Sequence, residues 1–226
     1  MKISKGTQKI LSEYTLINPG IIIEKGNRLI SRSVDCSILS TVIVPETFEE
    51  EISLYNLSQF LNIISCFGEP DLKIDSDKIL ISEGKQKFTY FMTNKDLIKE
   101  QANKLLKAEP EYDTTFILTS DNINKLFGVM RVMNFDSIGI LTRNNKLYLS
   151  VYDKANGKDQ NSFEIEISDY DGEEDFFYIL SKKNFVINKS FDYKVSISKI
   201  GCCKFEALDT KDYEGLTYWI GFVIDD

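Results

Sequence analysis

The residues that most invite chemistry are the carboxylates of Asp169-Tyr170-Asp171-Gly172-Glu173-Glu174-Asp175, an acidic run around one glycine of the kind that can hold a divalent cation. Aligned as a calcium loop on Gly172, the run puts Ile167 at position 1 and Tyr178 at position 12. Neither is a carboxylate, so the EF-hand pattern fails. Metal-assisted hydrolysis would need a second acidic group to complete the site, and none stands out. The run reads as a tight turn in an acidic loop, and no metal or cofactor is expected. Nucleophilic chemistry is no better served. The chain contains no histidine, which removes Ser-His and Cys-His arrangements and the commonest general base. Cys36, Cys66, Cys202 and Cys203 lack metal-ligand spacing, and adjacent Cys202 and Cys203 would strain a disulfide. All four are expected as reduced, mostly buried thiols.

What remains is positive charge on helix faces. A net charge of −8 and a sequence pI near 4.8 argue against a surface that simply coats nucleic acid. Any DNA contact must therefore come from a local basic face. Lys5 and Lys9 lie opposite one apolar helix face, and Lys125 and Arg131 opposite another. Lys2, Lys182, Lys183 and Lys189 fall in or beside helix-side segments, while acidic residues concentrate elsewhere.

The elements that would position these residues follow from periodicity. Residues 114–168 organise the rest: an apolar run at 114–118, a helix, then a meander. Ile123, Leu126, Phe127, Met130 and Met133 recur at the spacing of one helix face. Asp121, Asn124, Lys125, Gly128 and Arg131 form the opposite face, with Ser120 as the expected N-cap. After Asn134 the period drops to two, and Ile138, Ile140, Thr142, then Leu147, Leu149, Val151, then Phe163, Ile165, Ile167 read as half-buried strands. Asn144-Asn145 makes the first turn.

The module recurs. A helix carrying Ile10, Leu11, Tyr14 and Ile17, stopped by Pro19-Gly20, precedes strands at 21–24, 28–34 and 37–44. The first pair is expected to turn at Lys25-Gly26-Asn27, and Pro45 to close the unit. A second copy has a strand at 51–55, a helix at 57–67 with an uncharged outer face, and strands near 72–74, 78–82 and 87–93. The fourth starts at Phe176 and continues with strands at 193–199, 202–207 and 216–224. At 226 residues the chain suits two domains. We expect an α+β fold of two similar domains, 1–94 and 114–226, each with a sheet-rich shell and helices on one side. Residues 95–113, where alternation fails and Glu109-Pro110-Glu111 interrupts any helix, form the linker. No apolar run approaches the roughly 20 residues of a membrane span, and the first residues do not read as a signal segment. The expected location is the cytoplasm, with no membrane partner.

Met1-Lys2-Ile3-Ser4-Lys5, Ile17-Asn18-Pro19-Gly20-Ile21, Leu54-Tyr55-Asn56-Leu57 with Phe60-Leu61, and Asp169-Tyr170-Asp171-Gly172-Glu173 before Phe176 together resemble the sliding clamp of tailed bacteriophages, the processivity factor of DNA polymerase. Ser33-Val34-Asp35-Cys36-Ser37 is similar to the corresponding segment of the eukaryotic clamp, proliferating cell nuclear antigen. The resemblance extends patchily over nearly the whole chain; the linker and residues 184–192 match poorly. It implies the DNA-clamp fold, a ring of three subunits with helices lining the hole and sheets outside, and no enzymatic activity. It also implies partners: double-stranded DNA held independently of sequence, a polymerase tail peptide, a clamp-loader ATPase complex and further copies of this chain, in a host cytoplasm.

In such a ring the basic faces would point at one axis and touch phosphates through loose, water-mediated contacts. Gly128 stands where the phage family would place a basic residue, which implies a weaker hold by that helix. Val34, Ile38, Leu39, Leu105, Leu106, Trp219 and Phe222 fall in the regions that frame the family's peptide pocket. Lys85, Lys87, Phe88 and Tyr90 end one module, and Phe163, Glu164, Ile165 and Glu166 end another. Each strand would lie at an open edge, and head-to-tail pairing of the two would close a ring. The rival readings are a phage structural or scaffold protein with a duplicated sheet-rich fold, and a metal-dependent nuclease.

Overall fold

The computed structural model describes residues 1–98, 102–154, 161–211 and 213–223. The chain divides into two units, Met1–Lys107 with Thr210–Leu216, and Ala108–Asp209 with Thr217–Asp226. In the first, helix α1 (Lys5–Tyr14) starts at Ser4, whose hydroxyl accepts from the Thr7 amide, and it buries Thr7, Ile10, Leu11 and Tyr14. Strands β1 (Ile21–Ile23), β2 (Gly26–Arg32), β3 (Ile38–Phe48) and β4 (Ile52–Leu54) follow, then helix α2 (Leu57–Ser65) and strands β5 (Asp71–Ile74), β6 (Lys78–Glu83) and β7 (Gln86–Phe91). Asn56 caps α2 by accepting from the Gln59 amide. Helix α2 packs beside α1 through an apolar face of Leu57, Phe60 and Ile64.

Two strand expectations need correction here. The chain does turn at Gly26, which has φ +119, but β1 pairs antiparallel with β4 rather than with β2. Ile21, Ile22 and Ile23 are all buried, so this strand has no solvent face to present. Nor does Pro45 close the unit. Strand β3 continues to Phe48 across a register shift against β2, and exposed Pro45 sits in the shifted stretch, where it has no partner on β2.

The second unit contains β8 (Thr114–Leu118), α3 (Ser120–Met133), β9 (Ser137–Arg143), β10 (Lys146–Tyr152), β11 (Ser162–Asp169), β12 (Phe177–Ser181), β13 (Tyr193–Ser198), β14 (Cys202–Ala207) and, from Thr217 on, β15 (Glu214–Gly221), whose first three residues are counted with the first unit. The meander forms as the alternation requires, in the order β11-β10-β9-β12. Asn144 and Asn145 both take left-handed backbone, φ 52 and 59, as the tight turn demands. A second ladder pairs β8 with β13, β13 with β14 and β14 with β15. Helix α3 buries Ile123, Leu126 and Met130, while Met133 at its end is 44% exposed.

The cap of α3 is Thr119, whose hydroxyl accepts from the Asn122 amide. Ser120 instead donates its amide to the Asp192 carboxylate at 2.6 Å. In the fourth module, the segment after the first strand makes a single 3-10 turn at Lys182–Asn184, and Ile224, expected in the last strand, lies outside the described residues. None of the four cysteines is in a disulfide, but Cys36 and Cys66 are exposed rather than buried. In the acidic loop, Tyr170 donates its hydroxyl to the Glu174 carbonyl at 2.9 Å, and a Cβ at Gly172 would collide with that hydroxyl. Among the described residues no acidic, cysteine or histidine cluster is arranged to hold a metal, and no helix is long and apolar enough to cross a membrane.

Candidate nucleic-acid and partner interfaces

Basic residues of the second unit pack along α3. Lys189 holds its ammonium over the Phe127 ring, 3.5 Å from the centroid, and its carbonyl accepts from the Asn124 side-chain amide at 3.3 Å. Lys182 reaches the Met130 carbonyl at 3.5 Å. Burial first, then the charges of Lys182 and Arg131, hold the Lys189 ammonium below the usual lysine range. Lys182, Lys189 and Arg131 thus lie along one helix without an ion pair to any described residue, an arrangement that favours an incoming anion. Lys125, Arg131 and Lys183 are exposed and make no ion pair with the described residues. Gly128 faces open space, so the middle of the exposed helix face is bare.

The first unit offers less. Lys2 pairs with Glu69 at 3.4 Å, and Lys5 donates to the Gly68 carbonyl at 3.4 Å. The Glu83 carboxylate accepts from the Gly68 and Glu69 amides at 2.9 and 2.7 Å. Those amides, with Lys2 and Lys5 nearby, hold Glu83 below the usual carboxylate range. Lys2, Lys5, Glu46 and Glu69 together rim a cleft of about 380 Å³. Only Lys9 among this unit's basic candidates is exposed without a carboxylate or carbonyl partner among the described residues. Helix periodicity located these lysines but not their neutralisation, because Glu69 and Glu83 come from distant parts of the chain.

The apolar candidates separate into exposed and buried groups. Ile38 and Leu39 are core residues, 4% and 2% exposed, whereas Val34 on the preceding turn is 49% exposed. Asp35 fixes that turn by accepting from the Ser33 and Ser37 hydroxyls at 2.6 and 2.7 Å and from the Ser37 amide at 3.1 Å. These bonds, the Ser33 one foremost, pull its carboxyl down to about 2. Leu105 is 39% exposed and Leu106 half-buried. Trp219 donates its indole N–H to the Tyr112 hydroxyl at 3.2 Å. Phe222 stacks on Tyr178 with centroids 4.5 Å apart and planes 6° apart, and Tyr178 in turn stacks on Phe176 at 5.1 Å. Tyr112, Phe176 and Tyr178 were missed; the i, i+2 aromatic pair leading into β12 was the available signal.

Strands β7 and β11 each form the outer edge of a sheet. On β7, Lys87 is exposed, Phe88 is 40% exposed and Tyr90 meets the Phe60 ring edge-on at 5.2 Å; Lys85 occupies the turn before it. On β11, Phe163 and Ile165 are half-buried. Glu164 pairs with Arg143 at 2.7 Å and Glu166 with Lys146 at 3.1 Å.

The family described as gp45 sliding clamp, C terminal, matches residues 115–214. Over 214 residues the chain is 25% identical to the sliding clamp of Escherichia phage RB69, covering 92% of each. It is 23% identical over 211 residues to that of Enterobacteria phage T4, covering 91% of this chain and 92% of the relative. Among solved structures, the proliferating cellular nuclear antigen of Entamoeba histolytica superposes with a TM-score of 0.69 at 14% identity, covering 96% of this chain and 94% of that one. The antigen of A. fulgidus bound to the C-terminal region of FEN-1 gives 0.69 at 10% identity, covering 97% and 95%. The DNA polymerase III beta subunit of Pseudomonas aeruginosa gives 0.67 at 12% identity, covering 100% of this chain and 65% of that one.

Proposed function

We infer that this chain is a DNA polymerase sliding clamp of the phage type, with the two-domain clamp fold shared by proliferating cell nuclear antigen. A clamp is not an enzyme, and its effect is topological. A ring around duplex DNA keeps a bound polymerase at high effective concentration near the primer end, so that a brief release no longer ends synthesis. Domains 1–94 and 114–226 joined by residues 95–113 would carry the basic faces to the inside of that ring. The observation that carries the DNA reading is the set of cations Lys182, Lys189 and Arg131 along α3, none of them in an ion pair with the described residues. Phosphates would replace the missing counter-charge without reading base sequence.

The ring is a homotrimer closed by antiparallel pairing of β7 of one subunit with β11 of the next. The surfaces differ, so the contact is head-to-tail and closes by rotation. Phe88 and Tyr90 would pack with the neighbour's Phe163 and Ile165, while Lys85 and Lys87 approach the neighbour's Glu164 and Glu166. A loader ATPase opens the ring. Partner peptides, the polymerase tail among them, dock apolar side chains; the candidate contacts are Val34, Leu105 and Leu106 on the first unit and Phe222 on the second. Primer extension tests the reading. Added to its polymerase and loader, the chain should lengthen products made per binding event on a circular template, and a chain that leaves product length unchanged would refute it.

A further inference from the structure

The linker is held at two places. On the first unit, Ile98 and Ala102 pack with Ile22, and Asn103 donates to the Glu24 carboxylate at 2.8 Å. On the second unit, four side chains gather around the Lys204 ammonium. Glu109 lies at 2.6 Å and Glu206 at 3.1 Å, with the Trp219 and Tyr112 ring centroids at 5.5 and 5.8 Å. The Trp219 to Tyr112 hydrogen bond closes the group. Asp113 then leads into the sheet, donating its amide to the Ile197 carbonyl and accepting from the Lys199 amide, each at 2.8 Å. Between the two anchors, residues 105–108 make no backbone hydrogen bond among the described residues, and here sit Leu105 and Leu106.

We propose that Lys204 is a positioning residue for partner binding: it latches residues 109–113 onto β14 and β15 and so holds Leu105 and Leu106 ready for an apolar peptide. This rests on the reading of that leucine pair as part of the peptide surface. The Lys204 side chain is 16% exposed, so its ion pairs are not ordinary solvated ones. It is also the sole cation between two carboxylates in this group, one on the linker and one on its own strand. Replaced by an uncharged side chain, it leaves Glu109 facing Glu206, and like charges drive the linker off the sheet. A span fixed at both ends has less freedom to lose when a peptide docks, and one freed at an end must be ordered again.

Trp219 is the chain's single tryptophan, so its fluorescence reports the latch directly. In the full-length chain, Lys204→Met should red-shift Trp219 emission, raise quenching by acrylamide and speed amide exchange at 109–113. Lys204→Arg should keep the wild-type behaviour. A synthetic peptide copying the C-terminus of the cognate polymerase should bind Lys204→Met about tenfold more weakly and Lys204→Arg nearly normally. Glu109→Gln, altered outside the sheet, should reproduce the Met variant's spectrum without threatening the fold. Unchanged emission and exchange in both Lys204→Met and Glu109→Gln would overturn the latch. An open latch with unchanged peptide affinity would overturn its positioning role. Failure of the wild-type chain to bind the peptide, with Trp219 still responding to Lys204→Met, would remove the peptide site and leave the latch standing.

Discussion

Lys189 holds its ammonium over the Phe127 ring on the basic face, 3.5 Å from the centroid. Burial and the charges of Lys182 and Arg131 lower the folded value of Lys189. The unfolded chain therefore binds more protons in the window between the folded and ordinary lysine values, and stability rises with pH through that window. Lys189→Met should flatten that part of the stability profile. Titration of the Lys189 Nζ resonance should find it below the ordinary lysine value, and duplex DNA should move it upward as phosphate supplies counter-charge. A value unmoved by DNA would place the phosphate path elsewhere.

The two units are expected to contribute unequally to DNA. Lys182→Glu with Lys189→Glu should impair loading and polymerase stimulation more than Lys2→Glu with Lys5→Glu, because the latter lysines already face Glu69, Glu83 and the Gly68 carbonyl. Lys9→Glu, Lys125→Glu and Arg131→Glu should each weaken binding at every sequence alike. Removing a single cation-to-phosphate interaction should reduce the slope of log affinity against log salt by about 0.9. Equal impairment by the two double substitutions would contradict the uneven face.

Much of this was legible in the sequence because it is local. The alternation of Ile138 to Val151 gave the meander, and the spacing of Ile123, Leu126 and Met130 gave α3, since side-chain period alone sets which face is buried. The turn at Asn144-Asn145 announced itself through residues that tolerate left-handed backbone. What stayed hidden depends on chain-distant partners. The pairing of β1 with β4 is decided by burial of Ile21 to Ile23 on both faces, and Glu69 and Glu83 neutralise Lys2 and Lys5 across the fold. Lys204 lies on β14, and its partners Glu109 and Tyr112 come from the linker, far away in sequence.

The subunit contact makes a charge-swap expectation. Glu164→Lys with Glu166→Lys should weaken the trimer, and adding Lys85→Glu with Lys87→Glu should restore part of it. Exposed pairs contribute only about 0 to 1 kcal/mol each, so the aromatic and aliphatic packing should supply most of the affinity and the charges the register. Because Glu164 also pairs with Arg143, Arg143→Glu belongs in the rescue set. Sedimentation at low concentration decides: an intact trimer after the first reversal, or no recovery after the second, would put the interface elsewhere.

Asp35 should make the turn bearing Val34 acid-sensitive. Its carboxyl is pulled down to about 2 by the Ser33 and Ser37 bonds. The stability it contributes is therefore fully present above the ordinary carboxylate value of about 4 and is lost as pH falls through about 2. The group is near solvent, so the effect is modest. Asp35→Asn should flatten the thermal-midpoint profile between pH 4 and 2 and weaken partner-peptide binding at neutral pH. Parallel profiles for the two proteins would show that the turn does not depend on the charge.

Retention on DNA of different topology is the most direct measurement. After loading by its ATPase onto nicked circular duplex and removal of free protein by gel filtration, the chain should remain with the circle. Cutting the circle once should release it, and blocking both new ends should restore retention. Equal retention on circles and on open linear duplex, or loss from both at the same rate, would contradict a ring that encloses DNA.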